Sequence, residues 1–248
     1  MRERMASRLF LALAALQPLA GRLAQLTGYG VSIERRSEAA HGALTPANGA
    51  FAIWGPLFVA NIALALRSFG SDAAREPAHR RIMRLNELAF AGNSAWSLQA
   101  QFRGLGWPSV AIIFGSATAA IAATIEAQSL AARSAFARFA ALTTAPLAGW
   151  LTVASFANLD AALAAARASP KHESRHAAAL GAAAGAATSV IALATHGNLG
   201  YAAAAGWGLS GIALRNHRES RPAVVRTAAI GLAALAAATW VARRYLRA

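Results

Sequence analysis

Six stretches of this chain run without a charged residue: Leu9–Gly21, Ala50–Leu66, Trp107–Ile125, Phe139–Leu159, Ala177–Thr195 and Thr227–Val241. They are too long, and too apolar on every side, to be surface helices with one buried stripe. An Ala-rich soluble helical bundle is the competing class, and these runs argue against it. Charged residues make up 14% of the chain, against about 25% in soluble domains. The fold class expected is therefore all-α, an integral membrane helical bundle whose first partner is the lipid bilayer. The formal charge of +14 does not point to nucleic acid, because the arginines cluster at the ends of the apolar runs. Basic residues there anchor helices and set orientation. Cysteine is absent, which removes disulfides and thiolate metal sites.

Taken in order, the chain gives eight spans. Five of them (about Leu9–Leu26, Leu44–Phe69, Arg84–Phe102, Pro108–Gln128 and Phe139–Ala166) carry polar residues inside apolar surroundings. Three blander ones follow over Ala177–Thr195, Tyr201–Leu214 and Thr227–Val241, where Gly181 and Gly185 have the small-xxx-small spacing of close helix packing. This divides the chain into a core over 1–166 and a C-terminal helical extension over 167–248. The first residues, MRERMASRLFLALAALQPLAG, have the basic and apolar parts of a signal peptide. Apolar character resumes after Arg22, however, and favours a retained first helix. In the core, Arg2, Arg4, Arg8, the cluster within Arg67–Arg84, Arg133 and Arg138 fall on one side, against Arg35, Arg36 and Arg103 on the other. That bias places the N-terminus in the cytoplasm. Arg167, Lys171, Arg175, Arg215, Arg218, Arg221 and Arg226 reverse it in the extension, so one extension segment is expected not to cross.

Polar content marks where the chain does more than span. Leu44–Phe69 holds Trp54, Gly55, Pro56 and Asn61 within an apolar run, as though it lines something. In the third span Asn86, Asn93, Ser97 and Gln101 lie at offsets of 7, 4 and 4, on one helical face. Such a face must meet protein, water or a ligand. In the fifth span Pro146, Trp150 and Asn158 form another stripe. Trp54, Trp96 and Trp150 read either as an aromatic ligand cage or as packing and interfacial anchors. Asn93 and Asn158 read equally as ligand contacts or interhelical hydrogen bonds. Glu87 and Asp160 lie close enough to span ends for solvated headgroup positions, and Glu126 sits near the end of its span. His196, beside Gly197 and Asn198, is expected to be a cap rather than a haem ligand. Val241–Arg247 fits the loose sterol-recognition pattern. No metalloprotease, phosphate-loop, dinucleotide or nucleophile-elbow motif occurs, and no Ser, His and acid set converges in sequence. The chain is therefore read as not an enzyme.

Three of these segments resemble one family. TPANGAFAIWGPLF (Thr45–Phe58), NSAWSL (Asn93–Leu98) and PLAGWLTVASFANLDAAL (Pro146–Leu163) are similar, in order and spacing, to signatures of the TspO/MBR family. These are the tryptophan-rich sensory proteins, relatives of the translocator protein (peripheral benzodiazepine receptor). The likeness covers roughly Leu9–Ala166 and is nearest a longer branch with extra C-terminal helices. It implies a five-helix membrane bundle, often a homodimer, with a pocket for porphyrins, sterols and synthetic ligands, and roles in sensing, transport or tetrapyrrole regulation. It further implies that Phe51, Trp54, Asn93, Trp96, Trp150 and Asn158 line or buttress that pocket. It calls for no obligatory cofactor, only a tetrapyrrole- or sterol-like ligand, and places the chain in a bacterial inner or plasma membrane. Leu147 and Phe58 stand where the family commonly has tyrosine, which removes two phenolic hydroxyls. The alternative function, from a different class, is a multispan solute transporter that uses the polar face of the third span.

Overall fold

The computed structural model describes residues 2–40, 42–70, 76–166 and 173–246. Among them are α1 (Arg2–Thr27), α2 (Ile33–Ala39), α3 (Trp54–Arg67), α4 (Pro77–Phe102), α5 (Trp107–Leu130), α6 (Ala135–Ala166), α7 (Glu173–Ala194), α8 (Leu199–Arg218) and α9 (Pro222–Tyr245), and the described residues include no strand. A 3-10 turn, Asn48–Ile53, leads directly into α3. The integral membrane bundle read from the sequence is the architecture found.

Local chemistry sets the helix starts. Proline stands in the first turn of α4, α5 and α9, where its missing N–H costs nothing and its fixed φ suits the helix. Ser32 caps α2 by accepting from Arg35 N–H, and Asn198 caps α8 by accepting from the N–H groups of Gly200 and Tyr201 at 2.9 and 3.2 Å. α4 begins at Pro77, a full turn and more before the expected Arg84. Its first turns carry arginines and extend the helix beyond the apolar zone. The short α2 had no sequence expectation at all. The basic loops flanking α4 and α7 include 71–75 and 167–172, and Arg247 of the sterol-like pattern lies beyond 246; these positions are outside the described residues.

Contacts between helix ends show how the helices alternate. At one end Ser7 of α1 bonds the Ser68 carbonyl just after α3, Ser134 before α6 meets His79 of α4, and Asn198 before α8 bonds Gln128 of α5. At the other end Arg36 of α2 donates to the carbonyls of Ala100 and Gln101 of α4, Asp160 of α6 accepts from Leu44 N–H, and Asn216 of α8 donates to the Ala43 carbonyl. His196, between α7 and α8, contacts the Leu246 carbonyl after α9. Eight long helices thus run end to end in alternating directions, including all three of the extension. Within the extension, α7 and α9 are long and apolar enough to cross a membrane and α8 is not. Six of the eight are long and apolar enough to span by composition alone. α4 and α8 fall short, α4 because of its polar face and α8 because Arg215, Asn216, His217 and Arg218 close its last turn.

α6 is the axis. It packs on α5, α8, α7 and α3, and 72% of its most apolar stretch is buried, against 28% for α1, α3 and α9. α8 approaches so closely that a side chain on Gly149 would collide with the backbone of Tyr201 and Ala205. The pair α7–α9 is set the same way: a Cβ on Gly185 would lie 2.7 Å from the Gly231 Cα, and one on Gly181 2.8 Å from Thr227 Oγ1. The small-xxx-small reading of Gly181 and Gly185 therefore holds. α1 belongs to the bundle through Phe10, stacked on Phe90 of α4 at 5.5 Å. Gly149→Leu and Gly185→Leu are each expected to cost at least about 2 kcal/mol by overpacking, read as a lower thermal midpoint in detergent. Gly115→Ala, where nothing lies within 4 Å, should be neutral or stabilising by up to about 1 kcal/mol.

Candidate functional site

The Gly55-Pro56 pair does not interrupt a helix. Pro56 sits in the first turn of α3, where proline is tolerated, and the residues before it wind as the 3-10 turn. That change of pitch aims Phe51 and Trp54 inward together. Trp54 stacks on Phe58 at 5.4 Å and on Trp96 of α4 at 6.2 Å, and meets Trp150 of α6 edge-on at 5.8 Å. Phe51 meets the same Trp150 at 6.0 Å. Three helices converge on one aromatic cluster. Phe58, standing where a tyrosine was the family expectation, is part of the stack, and Leu147 is fully buried core.

Phe51, Trp54, Trp96, Trp150 and Asn158 line one cavity, which Ser37, Thr45 and Pro46 cover from the α2 end. Its volume is about 30 Å³, room for a water or two and far below a site of 300 Å³ or more for a drug-sized molecule. In this conformation the rings pack on each other. Ser37, Thr45 and Pro46 make α2 and residues 42–47 the roof of this cavity. That roof is tied to α4 through Arg36, to α6 through Asp160 and to α8 through Asn216 and Gly211, and Trp207 of α8 bonds the Ala50 carbonyl in the 3-10 turn just after it.

The polar atoms around the cavity divide into two groups. Asn158 is fully committed: its Oδ1 accepts from Trp96 Nε1 and from Ser109 Oγ, both at 2.8 Å, while its Nδ2 donates to the Ala154 carbonyl. It buttresses Trp96, the interhelical reading of that asparagine. Trp54 Nε1 and Trp150 Nε1, by contrast, are buried N–H donors without an acceptor. A buried donor left unpaired costs about 1–3 kcal/mol; Gln17 Nε2, Asn61 Oδ1, His79 Nδ1, Asn93 Oδ1, Ser94 Oγ and Asn216 Oδ1 are also buried without a partner, but only the two indoles are in the wall of this cavity.

Asn93 is not at this cavity. Its Nδ2 donates to Gln17 Oε1 of α1 at 3.1 Å, and Asn61 of α3 donates to the same oxygen at 3.4 Å. All three amides are 0% exposed. The rest of the polar face of α4 is likewise spent on neighbours. Thr144 of α6 donates to Asn86 Oδ1, and Gln101 bridges the Ala20 carbonyl and the Ala24 N–H of α1. The face joins helices to each other.

Among the charged groups, Asp160 departs from its solvated reading. Asp160 is 1% exposed, with Oδ2 accepting from Leu44 N–H at 2.9 Å; it holds the roof and is not solvated. Glu126 pairs with Arg81 at 3.4 Å. His196, at φ 52°, turns the chain between α7 and α8 as a cap would. A Ser, His and acid set does converge in space, against the sequence reading. His79 Nε2 lies 2.7 Å from Ser134 Oγ, and its Nδ1 lies 3.2 Å from Glu76 Oε2 without hydrogen-bond alignment. Ser134 Oγ meanwhile accepts from Ala137 N–H and caps α6. The set is a clamp between the starts of α4 and α6. Fifty-five residues separate Ser134 from His79, which is why no local motif announced it. Ser109 and Trp207 were also missed, since each looks ordinary in its own run.

A family model described as TSPO-like protein matches residues 10–242, from α1 through most of α9. No curated protein and no solved structure matches the chain.

Asn158→Leu is expected to strand the Trp96 N–H and the Ser109 hydroxyl at about 1–3 kcal/mol each, read as reduced thermal stability and a shifted Trp96 indole resonance. Ser134→Ala should cost about 1 kcal/mol as a lost cap, read as a lower thermal midpoint.

Proposed function

As the chain belongs to the TSPO-like family, we propose that it binds a flat hydrophobic ligand, porphyrin- or sterol-like, between α3, α4 and α6, for sensing or translocation across the bilayer. The observation that carries this reading is the pair of unpartnered indole N–H groups on Trp54 and Trp150, in the wall of one aromatic cavity. A porphyrin's carboxylates and a sterol's hydroxyl are acceptors of the kind these donors lack. The ring faces of the cluster would supply stacking and dispersion to the flat remainder. Binding proceeds by displacement of the α2 roof, which breaks the Leu44–Asp160 and Arg36–α4 bonds that hold it, while the pairings of Asn158 stay in place beneath it. On this reading Phe51, Trp54, Trp96 and Trp150 contact the ligand, Asn158 positions Trp96, and Asn93 contributes to bundle stability alone. The protein acts by binding, without catalysis and without an obligatory cofactor, and a homodimer remains the proposed assembly.

The test is titration of the purified protein with protoporphyrin, followed by its own absorption band so that tryptophan substitutions do not alter the signal. Trp150→Phe and Trp54→Phe each keep an aromatic ring and lose one donor. Each should weaken binding about 2- to 10-fold, the range of one net hydrogen bond. Trp54→Ala and Trp150→Ala should weaken it further. Unchanged affinity in all four variants would rule out this pocket.

A further inference from the structure

Where α5 and α9 end and α6 and α8 begin, a cleft of about 430 Å³ opens, a volume within the range of small-molecule sites. Arg138, Phe139 and Leu142 reach it from one face of α6, at helical spacing. Arg243 reaches it from the last turn of α9. Gly197, at φ 66°, lets α9 come this close: a Cβ there would lie 2.6 Å from Arg243 Cγ and 2.5 Å from the Thr239 carbonyl oxygen. The polar side chains at the cleft present donors only. Asn198 Oδ1 is claimed by the N–H groups of Gly200 and Tyr201, so its Nδ2 donates to the Ala141 carbonyl and to Gln128 Oε1. That occupies the Gln128 oxygen and leaves its amide NH₂ as the open end. Arg138 Nε donates to the Ala131 carbonyl at 3.1 Å, which leaves its two terminal nitrogens. Among the described residues, no carboxylate pairs with Arg138 or Arg243, and Glu126 is taken by Arg81.

We propose that this cleft binds the phosphodiester headgroup of an anionic phospholipid. Charge selects the phosphate: two guanidinium groups and an amide N–H face a cleft without a side-chain acceptor, and phosphate oxygens are their natural complement. Charge also selects among lipids. A zwitterionic headgroup brings a cation, for which no carboxylate waits here, whereas an anionic one brings only acceptors. The walls select a lipid over a free phosphate. Leu142 is 65% and Leu199 56% exposed beside the two arginines, so acyl chains leaving the headgroup run onto apolar surface that a free anion does not use. Basic pockets between helix ends are where a bilayer presents such headgroups. The cleft shares no residue with the aromatic cavity, and the site stands whether or not that cavity takes a ligand.

The experiment titrates the full chain in detergent with an equimolar mixture of phosphatidylglycerol and phosphatidylcholine and reads the retained lipid by native mass spectrometry. Phosphatidylglycerol is expected to be retained over phosphatidylcholine by at least about tenfold, since one basic residue at a membrane surface is worth about fivefold. Arg138→Gln and Arg243→Gln should each lower that preference about fivefold. Arg133→Gln and Arg244→Gln, at exposed positions of the same bundle end but outside the cleft, should leave it unchanged. Arg138→Gln also loses the tie to Ala131; should it fail to fold, Arg243→Gln against its neighbour Arg244→Gln still decides. Equal retention of the two lipids overturns the proposal. So does a loss shared equally by the cleft and control variants, which means a diffuse basic rim, or release of phosphatidylglycerol by an equal concentration of inorganic phosphate, which means a free-anion site.

Discussion

Hydrocarbon offers no hydrogen-bond partner, and that constraint decides where nearly every polar side chain of this bundle goes. Gln17, Asn61 and Asn93 find one another across three helices, Asn86 finds Thr144, and Gln101 reaches back to α1. Each pairing is worth only about 0.6–2 kcal/mol between membrane helices. Each also fixes a register that apolar packing alone leaves free to slide. α6, buried along most of its length, gains its neighbours from shape, through glycines that admit the backbone of α8, and from these polar ties to α4 and α5.

Within the aromatic cluster the pairing is uneven. Every polar atom of Asn158 is paired, while two indole N–H groups a few ångströms away are not. The cavity between them is small because the rings pack on each other under the roof. The extension takes part in holding it there, since Asn216, Gly211 and Trp207 of α8 bond to Ala43, Ala47 and Ala50 on the approach to α3. Through these bonds the C-terminal helices hold the segment that covers the aromatic cavity.

Much of this was legible in the sequence because period and polarity carry it. The offsets of Asn86, Asn93, Ser97 and Gln101 gave one face, and all four are buried. The three tryptophans, each with its motif, do meet. What the residues could not convey was partnership over long separations. Asp160 lies near a span end and reads as solvated, yet α2 and Leu44 cover it. Glu76, His79 and Ser134 form a clamp that no local spacing encodes. Asn93 and Asn158 looked alike as buried amides, and only the fold separates the one that ties α4 to α1 from the one that holds Trp96. α2 was invisible because seven residues rich in charge carry no apolar period, and its place is set by Arg36 reaching the end of α4.

The central claim is that Trp54 and Trp150 hold free donors for a ligand while Trp96 does not. Indole ¹H–¹⁵N resonances of tryptophan-labelled protein, recorded before and during titration with protoporphyrin, address it directly. The account predicts that the Trp96 signal sits at the hydrogen-bonded position throughout, and that the Trp54 and Trp150 signals start at the unbonded position and move downfield as ligand binds. Indole signals of Trp54 and Trp150 that are already hydrogen-bonded in the free protein, or that stay fixed while the porphyrin is bound, would contradict it.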